Sequence, residues 1–284
     1  KYMNVLLPST TEDLWRILGD DPDAVVCAGG TDILVKVRAG MIRPTSLVCL
    51  ERLDDFRGIR DEGNAISIGA CTTHTEILGN PTITAFLPIL QKAVHVLGSP
   101  PIRNMATLGG NICTASPAGD TLPALSVLGT ELELRSQSGV RRMPIDQFVI
   151  GPGKTALREG EVLTSVRVRK PEGEYIHHFE KVGQRQAMSI SIASLAALVK
   201  VDSTDRIENI SLAWGSVGPT VIRSKEIEAS LIGTKLSVEN IKQVFPLVDR
   251  ALSPISDVRA SSDYRRRVSA NLLLRLAGYR GYRE

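Results

Sequence analysis

The sequence predicts an α+β protein built as two domains, and three observations carry that expectation. Up to about residue 150, short β-like runs alternate with helical stretches. From about Glu161 the order changes to strands first and helices afterwards, the pattern of an α+β unit whose sheet is covered on one face. The length, 284 residues, exceeds the roughly 100–200 residues of one domain and leaves each half enough chain for a core. The polar turn Lys170-Pro171-Glu172-Gly173 sets the expected boundary, giving domains of residues 1–172 and 173–284.

Ser9-Thr10-Thr11-Glu12 has the form of a capping box ahead of a helix over Asp13–Gly19. Ala24–Ala28 reads as a buried strand that runs into Gly29-Gly30-Thr31-Asp32, and a helix follows over Ile33–Ala39. Leu47–Leu50 and Ala65–Ala70 read as strands, the second after the turn residues Glu62-Gly63-Asn64. Phe86, Leu90, Ala93, Val94 and Leu97 lie at helical spacing, and Gly98-Ser99-Pro100-Pro101 ends that helix. A second glycine segment, Thr107–Asn111, precedes a helix near Leu122–Leu128 and a strand over Glu131–Arg135. In the second half, Val162–Arg169, Tyr175–Val182, Ile190–Val201 and Ile207–Val217 read as strands. Ile222–Leu231, Val238–Leu252 and Asp263–Leu276 read as the closing helices.

Composition narrows the function. Hydrophobic residues are 43% and charged residues 23%, which argues against disorder. The net charge of +3 is too mild for a nucleic-acid surface. The basic run Arg265-Arg266-Arg267 therefore reads as a solvated or subunit-facing stripe. No apolar run approaches the roughly 18–20 residues of a membrane span, and no secretory signal is visible, so the expected location is the cytoplasm. Cys27, Cys49, Cys71 and Cys113 have neither zinc nor ferredoxin spacing and read as free thiols. His177 and His178 would point to opposite faces of a strand and cannot chelate together, so no metal is expected. Aromatics are only 4% while glycines number 24, which suggests backbone loops lying close to a ligand.

Gly151-Pro152-Gly153-Lys154-Thr155-Ala156 imitates two phosphate motifs. A P-loop needs glycine where Phe148 stands, and Pro152 lacks the amide that a dinucleotide turn requires. It reads as a turn. Ala28-Gly29-Gly30-Thr31-Asp32 lies between strand and helix, where two glycines permit positive φ and a concave row of amides suited to phosphate. A tight strand–helix turn explains that segment alone equally well. Thr107-Leu108-Gly109-Gly110-Asn111 continues through Thr114 to Asp120 in small and hydroxyl residues that can lie flat against a ligand. Two such loops suit an extended diphosphate. The residues leave a dinucleotide, coenzyme A and a sugar nucleotide open.

The ordered pair AGGTD near residue 28 and TLGGNI near residue 107 resembles the FAD-binding medium subunit of the molybdenum hydroxylases. Those families include the bacterial xanthine, nicotinate and carbon monoxide dehydrogenases. Gly98-Ser99-Pro100-Pro101-Ile102-Arg103-Asn104 is similar to the family's lead-in, with Pro101 where Gln is usual. Gly151–Lys154 and Lys181-Val182-Gly183-Gln184-Arg185 also resemble family signatures. The resemblance spans essentially the whole chain. It implies a vanillyl-alcohol-oxidase (PCMH)-type FAD domain followed by a small α+β flavoprotein C-terminal domain with a three-stranded sheet.

By that resemblance Cys27, Ala28, Gly29, Gly30, Thr31, Asp32, Ile33 and Leu34 would wrap the FAD pyrophosphate. Thr107, Gly109, Gly110, Asn111 and Thr114 would complete the cradle. Asp120 would lie toward the flavin, Leu163 would pack on the cofactor, and Lys181, or Glu180 in a shifted register, would sit near the ring. No residue of this chain is then expected to be catalytic in its own right, because the flavin carries the redox chemistry. The implied holoenzyme is a cytoplasmic heterotrimer with a [2Fe–2S] small subunit and a molybdopterin large subunit, with NAD a candidate acceptor. The rivals are a standalone FAD-dependent oxidase or reductase and a non-enzymatic nucleotide-binding module.

Overall fold

A computed structural model describes residues 3–280, the side chain of Arg280 apart. In chain order the elements begin with β1 (Asn4–Leu6), α1 (Thr11–Asp20), β2 (Val25–Cys27), α2 (Ile33–Arg38), β3 (Ser46–Cys49), β4 (Ile59–Asp61) and β5 (Ala65–Gly69). A helical run follows: α3 (His74–Gly79), α4 (Pro81–Phe86), α5 (Pro88–His95), α6 (Pro100–Met105), α7 (Leu108–Thr114) and α8 (Thr121–Val127). Then come β6 (Glu131–Ser136), β7 (Gly139–Pro144), α9 (Ile145–Phe148), β8 (Val149–Gly151), β9 (Lys154–Thr155) and β10 (Val162–Arg169). The chain continues through β11 (Ile176–Val182), β12 (Ala193–Val201), β13 (Ile207–Gly215), α10 (Lys225–Leu231), α11 (Val238–Gln243) and α12 (Phe245–Ala251). It closes with α13 (Ser262–Leu272) and α14 (Leu274–Ala277).

These elements form two compact units that alternate along the chain. The first takes residues up to Asn80, Ser99–Ala115 and Thr130–Arg169. The second takes Pro81–Gly98, Ser116–Gly129 and the chain from Lys170 on. One crossing therefore falls at Arg169–Lys170, and the others lie within residues that read in sequence as one domain.

The first unit holds a parallel sheet of order β1-β3-β2 and an antiparallel sheet of order β4-β5-β10-β6-β7. The α1 N-cap is Thr10, whose hydroxyl accepts from the Asp13 amide, one residue later than the capping box expected from sequence. Leu14 and Leu18 of α1 pack with Val48, Leu53, Phe56 and Val162 in one cluster. Each fully buried side chain of that size contributes about 1.5–3 kcal/mol. β10, the central strand, slips register between Leu163 and Ser165, where a bulge leaves Thr164 unpaired with β6.

The second unit is the antiparallel meander β11-β12-β13 with helices. Sequence order suggested cover on one face, but every residue of Ala193–Val199 is buried, so both faces of β12 are covered. Leu195, Ala197, Leu212 and Trp214 pack with Ile227, Ile241, Val248 and Leu276 from the C-terminal helices. α5 and α8, contributed from earlier in the chain, also pack on this sheet. Two predicted helices are divided: Val238–Leu252 breaks at Val244, ahead of Pro246 in the first turn of α12. The last breaks at Leu273. Arg265 is not on a solvated stripe. It is 3% exposed and donates to the Ile192 and Ser216 carbonyls and to Asp257.

Candidate functional site

Parallel strand β2 delivers the chain to Ala28 and the first glycine pair. Gly30 adopts φ +72°, a region that L side chains rarely occupy. Gly29 passes the end of α6 so closely that a Cβ there would coincide with the Met105 carbonyl group. Helix bonding resumes at Leu34 N–H to Gly30 O (3.1 Å) and Lys36 N–H to Asp32 O (3.2 Å). The amides of Thr31, Asp32 and Ile33 precede the first intrahelical donor, Leu34 N–H, and have no helical acceptor. Asp32 sits among them without repelling an anion strongly, because Lys36 Nζ lies 2.6 Å from its Oδ2 and the Thr114 hydroxyl donates to it at 3.2 Å.

The second glycine pair is a helix start and not a loop. Thr107 caps α7, its hydroxyl accepting the Gly110 amide at 3.0 Å. The Leu108 amide donates to Thr72 O (3.0 Å), the Gly109 amide to Ala70 O (2.8 Å) and the Asn111 amide to Thr107 O (3.0 Å). A Cβ on Gly109 would lie 2.5 Å from the Ala70 Cβ and 2.8 Å from its oxygen. The bulge in β10 sets this arrangement, since the Ala70 amide donates to the released Thr164 carbonyl at 2.9 Å. Thus Gly109 is required for contact, and the amides at the head of α7 are already engaged.

Gly29 lines one of two adjoining clefts and Gly109 with Gly110 the other, while Gly30, Thr31, Asp32, Asn111 and Thr114 line neither. One, of about 150 Å³, is lined by Ala28, Gly109, Gly110 and Leu163, with Cys71 and Cys113. The other, of about 190 Å³, is lined by Ala28, Gly29, Thr107, Arg57, Asn104 and Met105. Ala28 belongs to both. Burial pushes the thiols of Cys71 and Cys113 up to about 12 and that of Cys27 up to about 11, so all three stay protonated and unreactive. Leu34 is half exposed beside Gly30.

Asp120 and Lys181 both belong to the second unit and form a buried ion pair, Nζ to Oδ2 at 2.6 Å. Lys181 also donates to the Val96 carbonyl at 3.2 Å. Burial raises the Asp120 carboxyl to about 6 against the opposing pull of Lys181. The other oxygen, Oδ1, is buried with no hydrogen-bond partner among the described residues, an unsatisfied acceptor suited to a ligand donor. Glu180 instead lies near His178 and Arg275.

The phosphate-like segment at Gly151 is the hairpin β8–β9. Its Gly153 amide donates to Ala115 O at 3.0 Å and is unavailable to a ligand. Sequence reasoning missed Ala70, Thr73, Arg57 and Asn104 as cleft residues. Thr73 was detectable, because Thr73-His74-Thr75-Glu76 forms a full capping box. Arg57 reaches its cleft with its guanidinium 2.9 Å from Glu76, a long-range pairing without a local signal.

Comparison with known proteins covers both halves of the chain. Residues 1–171 match the FAD binding domain in molybdopterin dehydrogenase, and residues 178–279 match the CO dehydrogenase flavoprotein C-terminal domain. The nicotinate dehydrogenase FAD-subunit of Eubacterium barkeri is 31% identical, covering 94% of this chain and 92% of that protein. A putative xanthine dehydrogenase FAD-binding subunit of Escherichia coli is 33% identical over 90% of this chain and 88% of its own length. Among solved structures, reconstituted CO dehydrogenase from Oligotropha carboxidovorans superposes with a TM-score of 0.92 at 27% identity, covering 97% of this chain and 96% of that one. With both halves matched in order, and Gly29 and Gly109-Gly110 lining adjoining clefts, the chain belongs to the FAD-binding medium subunits of the molybdenum hydroxylase family, oxidoreductase subunits whose cofactor is FAD.

Proposed function

We propose that this subunit relays electrons from [2Fe–2S] centres on a partner small subunit, through FAD, to NAD or another acceptor. In this reading a partner molybdopterin large subunit oxidises the substrate, and the three chains form a cytoplasmic complex of the xanthine dehydrogenase type. The observation that carries it is the approach of Gly29 and of Gly109-Gly110 to adjoining clefts that share Ala28 and Cys71. Bound FAD supplies chemistry that amino acids lack, taking electrons singly and returning a pair as hydride.

The chain's own residues hold and tune that cofactor. Gly30 turns the backbone so that the amides of Thr31, Asp32 and Ile33 can donate to a diphosphate. Gly109 and Gly110 keep the facing wall free of side chains, and Leu163 adds an apolar surface. Thr107, Asn111 and Thr114 hold the cradle's second side, with Cys27 and Leu34 at the ends of the first. Asp120 and Lys181 keep the flavin-side roles that the family resemblance assigns them. The orphan Asp120 Oδ1 is free to accept a hydrogen bond, and the Lys181 ammonium stabilises negative charge nearby.

Affinity purification of the native complex tests this reading. Three subunits should co-purify, and substrate should bleach the flavin absorbance of the complex while leaving the isolated FAD-loaded chain unchanged. Full substrate turnover by the isolated chain would overturn it in favour of a standalone oxidase or reductase.

A further inference from the structure

The second unit contains a cavity of about 360 Å³ that lies wholly within it and has no part in the glycine-pair clefts. Lys92 on α5 projects along its wall and donates to the His177 carbonyl at 2.5 Å. Lys92 is exposed to solvent along the cavity wall, desolvation draws its pKa down, and no carboxylate among the described residues pairs with it. Because it has no counter-ion and stands beside an aromatic face, this ammonium is available to attract an anion entering the cavity. His177 and His178 do not add charge, because burial and the nearby Lys92 hold both imidazoles down to about 4.

Two of the five tyrosines in this aromatic-poor chain, Tyr175 and Tyr279, line the same space. Tyr279 is fixed before any ligand arrives. Its hydroxyl shares a 2.9 Å hydrogen bond with His178 Nδ1, and its ring meets the imidazole edge-on at 88°. Lys92 Nζ stands 5.8 Å from the Tyr279 ring centroid, so cation and aromatic face serve one region of the cavity. Val201 and Leu236 supply apolar surface beneath. Asp205 also lines the cavity and would repel a dianion or diphosphate.

We propose that this cavity binds a small planar aromatic monocarboxylate, its carboxylate on Lys92 and its ring against Tyr279. A preformed concave site with one charged anchor and apolar walls is the usual form of a small-molecule site. Rigid placement of Tyr279 lowers the ordering cost of binding.

The test is calorimetric titration of the FAD-loaded full chain with benzoate, benzamide and inorganic pyrophosphate. Benzoate should bind, and benzamide, its neutral isostere, should bind at least about tenfold more weakly, as expected for loss of a charge-assisted hydrogen bond. Pyrophosphate should not displace benzoate. Lys92→Gln should weaken benzoate by about tenfold or more, Lys92→Arg should restore most of the affinity, and Tyr279→Leu should weaken it severalfold. Flavin content and thermal unfolding of each variant establish that it is folded. Failure of benzoate to bind the wild-type chain, equal affinity for benzamide, or equal affinity in folded Lys92→Gln would each overturn the proposal.

Discussion

At Gly29-Gly30 the chain leaves a strand, turns through a left-handed glycine and enters a helix whose leading amides remain outside the helical bonding. At Gly109-Gly110 the residue pair is the same, yet the amides of Leu108, Gly109 and Gly110 are held by Thr72, Ala70 and the Thr107 hydroxyl. The first pair supplies donors, and the second supplies a bare wall pressed against β5 and the bulge of β10. Identical dipeptides in one unit of the fold therefore answer to different physics. Glycine is needed for dihedral freedom and close passage in the first, and chiefly for close packing in the second.

The strongest way to break this comparison is Gly29→Ala. Its methyl group coincides with the Met105 carbonyl, so the backbone itself must move. We expect a loss of about 3 kcal/mol or more in stability, and flavin content down by about tenfold even with excess FAD during purification. Thermal melts and flavin-to-protein absorbance ratios read both.

Gly109→Ala comes next, with a Cβ 2.5 Å from that of Ala70. Overpacking should cost about 2–3 kcal/mol. Excess FAD should recover most of the flavin content, because the donor loop is intact and ligand binding pulls the folding equilibrium back. If Gly29→Ala were rescued equally, the two pairs would be doing the same work.

A smaller effect is expected at Gly110, whose Cβ would meet only the Thr107 hydroxyl, at 2.9 Å. Gly110→Ala should displace that cap and cost about 1 kcal/mol, as should Thr107→Ala. The double variant should cost little more than either single one, since both remove one hydrogen bond. Full additivity in urea unfolding would show that Gly110 faces something else.

A last effect concerns pH. His74, fully buried behind the second pair with its amide on Ala106 O, has its pKa lowered from 6.5 to about 4 by burial and by Arg103. The unfolded chain then binds more protons between these values, so stability rises with pH across that window and is lost as pH falls through it. His177 and His178 are lowered similarly. Asp120, raised to about 6, works against them over the lower part of this range. His74→Leu should lower the slope of unfolding free energy by up to one proton, about 1.4 kcal/mol per pH unit, between pH 4 and 6.5. An unchanged slope would mean that His74 is not held neutral.

Legibility from sequence followed the reach of the forces involved. β10 was readable residue for residue, because Ser165–Arg169 alternates outward and buried positions behind the apolar start Val162-Leu163. β1 and β4 were not, at three residues each, and the charged Arg141-Arg142 concealed β7, whose register β6 supplies. The glycine pairs were legible as motifs, but not their division of labour. Glycine disfavours helix, and α7 starts where it does because the carbonyls of Ala70 and Thr72 receive its amides. The arginine triplet misled for a similar reason: Arg265 is buried by carbonyls from distant strands and loops, which local charge patterning cannot reveal.

The alternation of the two units along the chain bears on synthesis as well as on structure. Both glycine pairs emerge from the ribosome early, but the sheet that presses Ala70 against Gly109 is complete only when β10 has followed. The second unit is further delayed, because α5 and α8 must wait for β11–β13. The first unit cannot close before Arg169 is made, nor the second before β13, so the early apolar helices α5 and α8 wait longest for their partners. A fragment starting at residue 173 would lack α5 and α8, and the part of its sheet that they cover would be left open to aggregation.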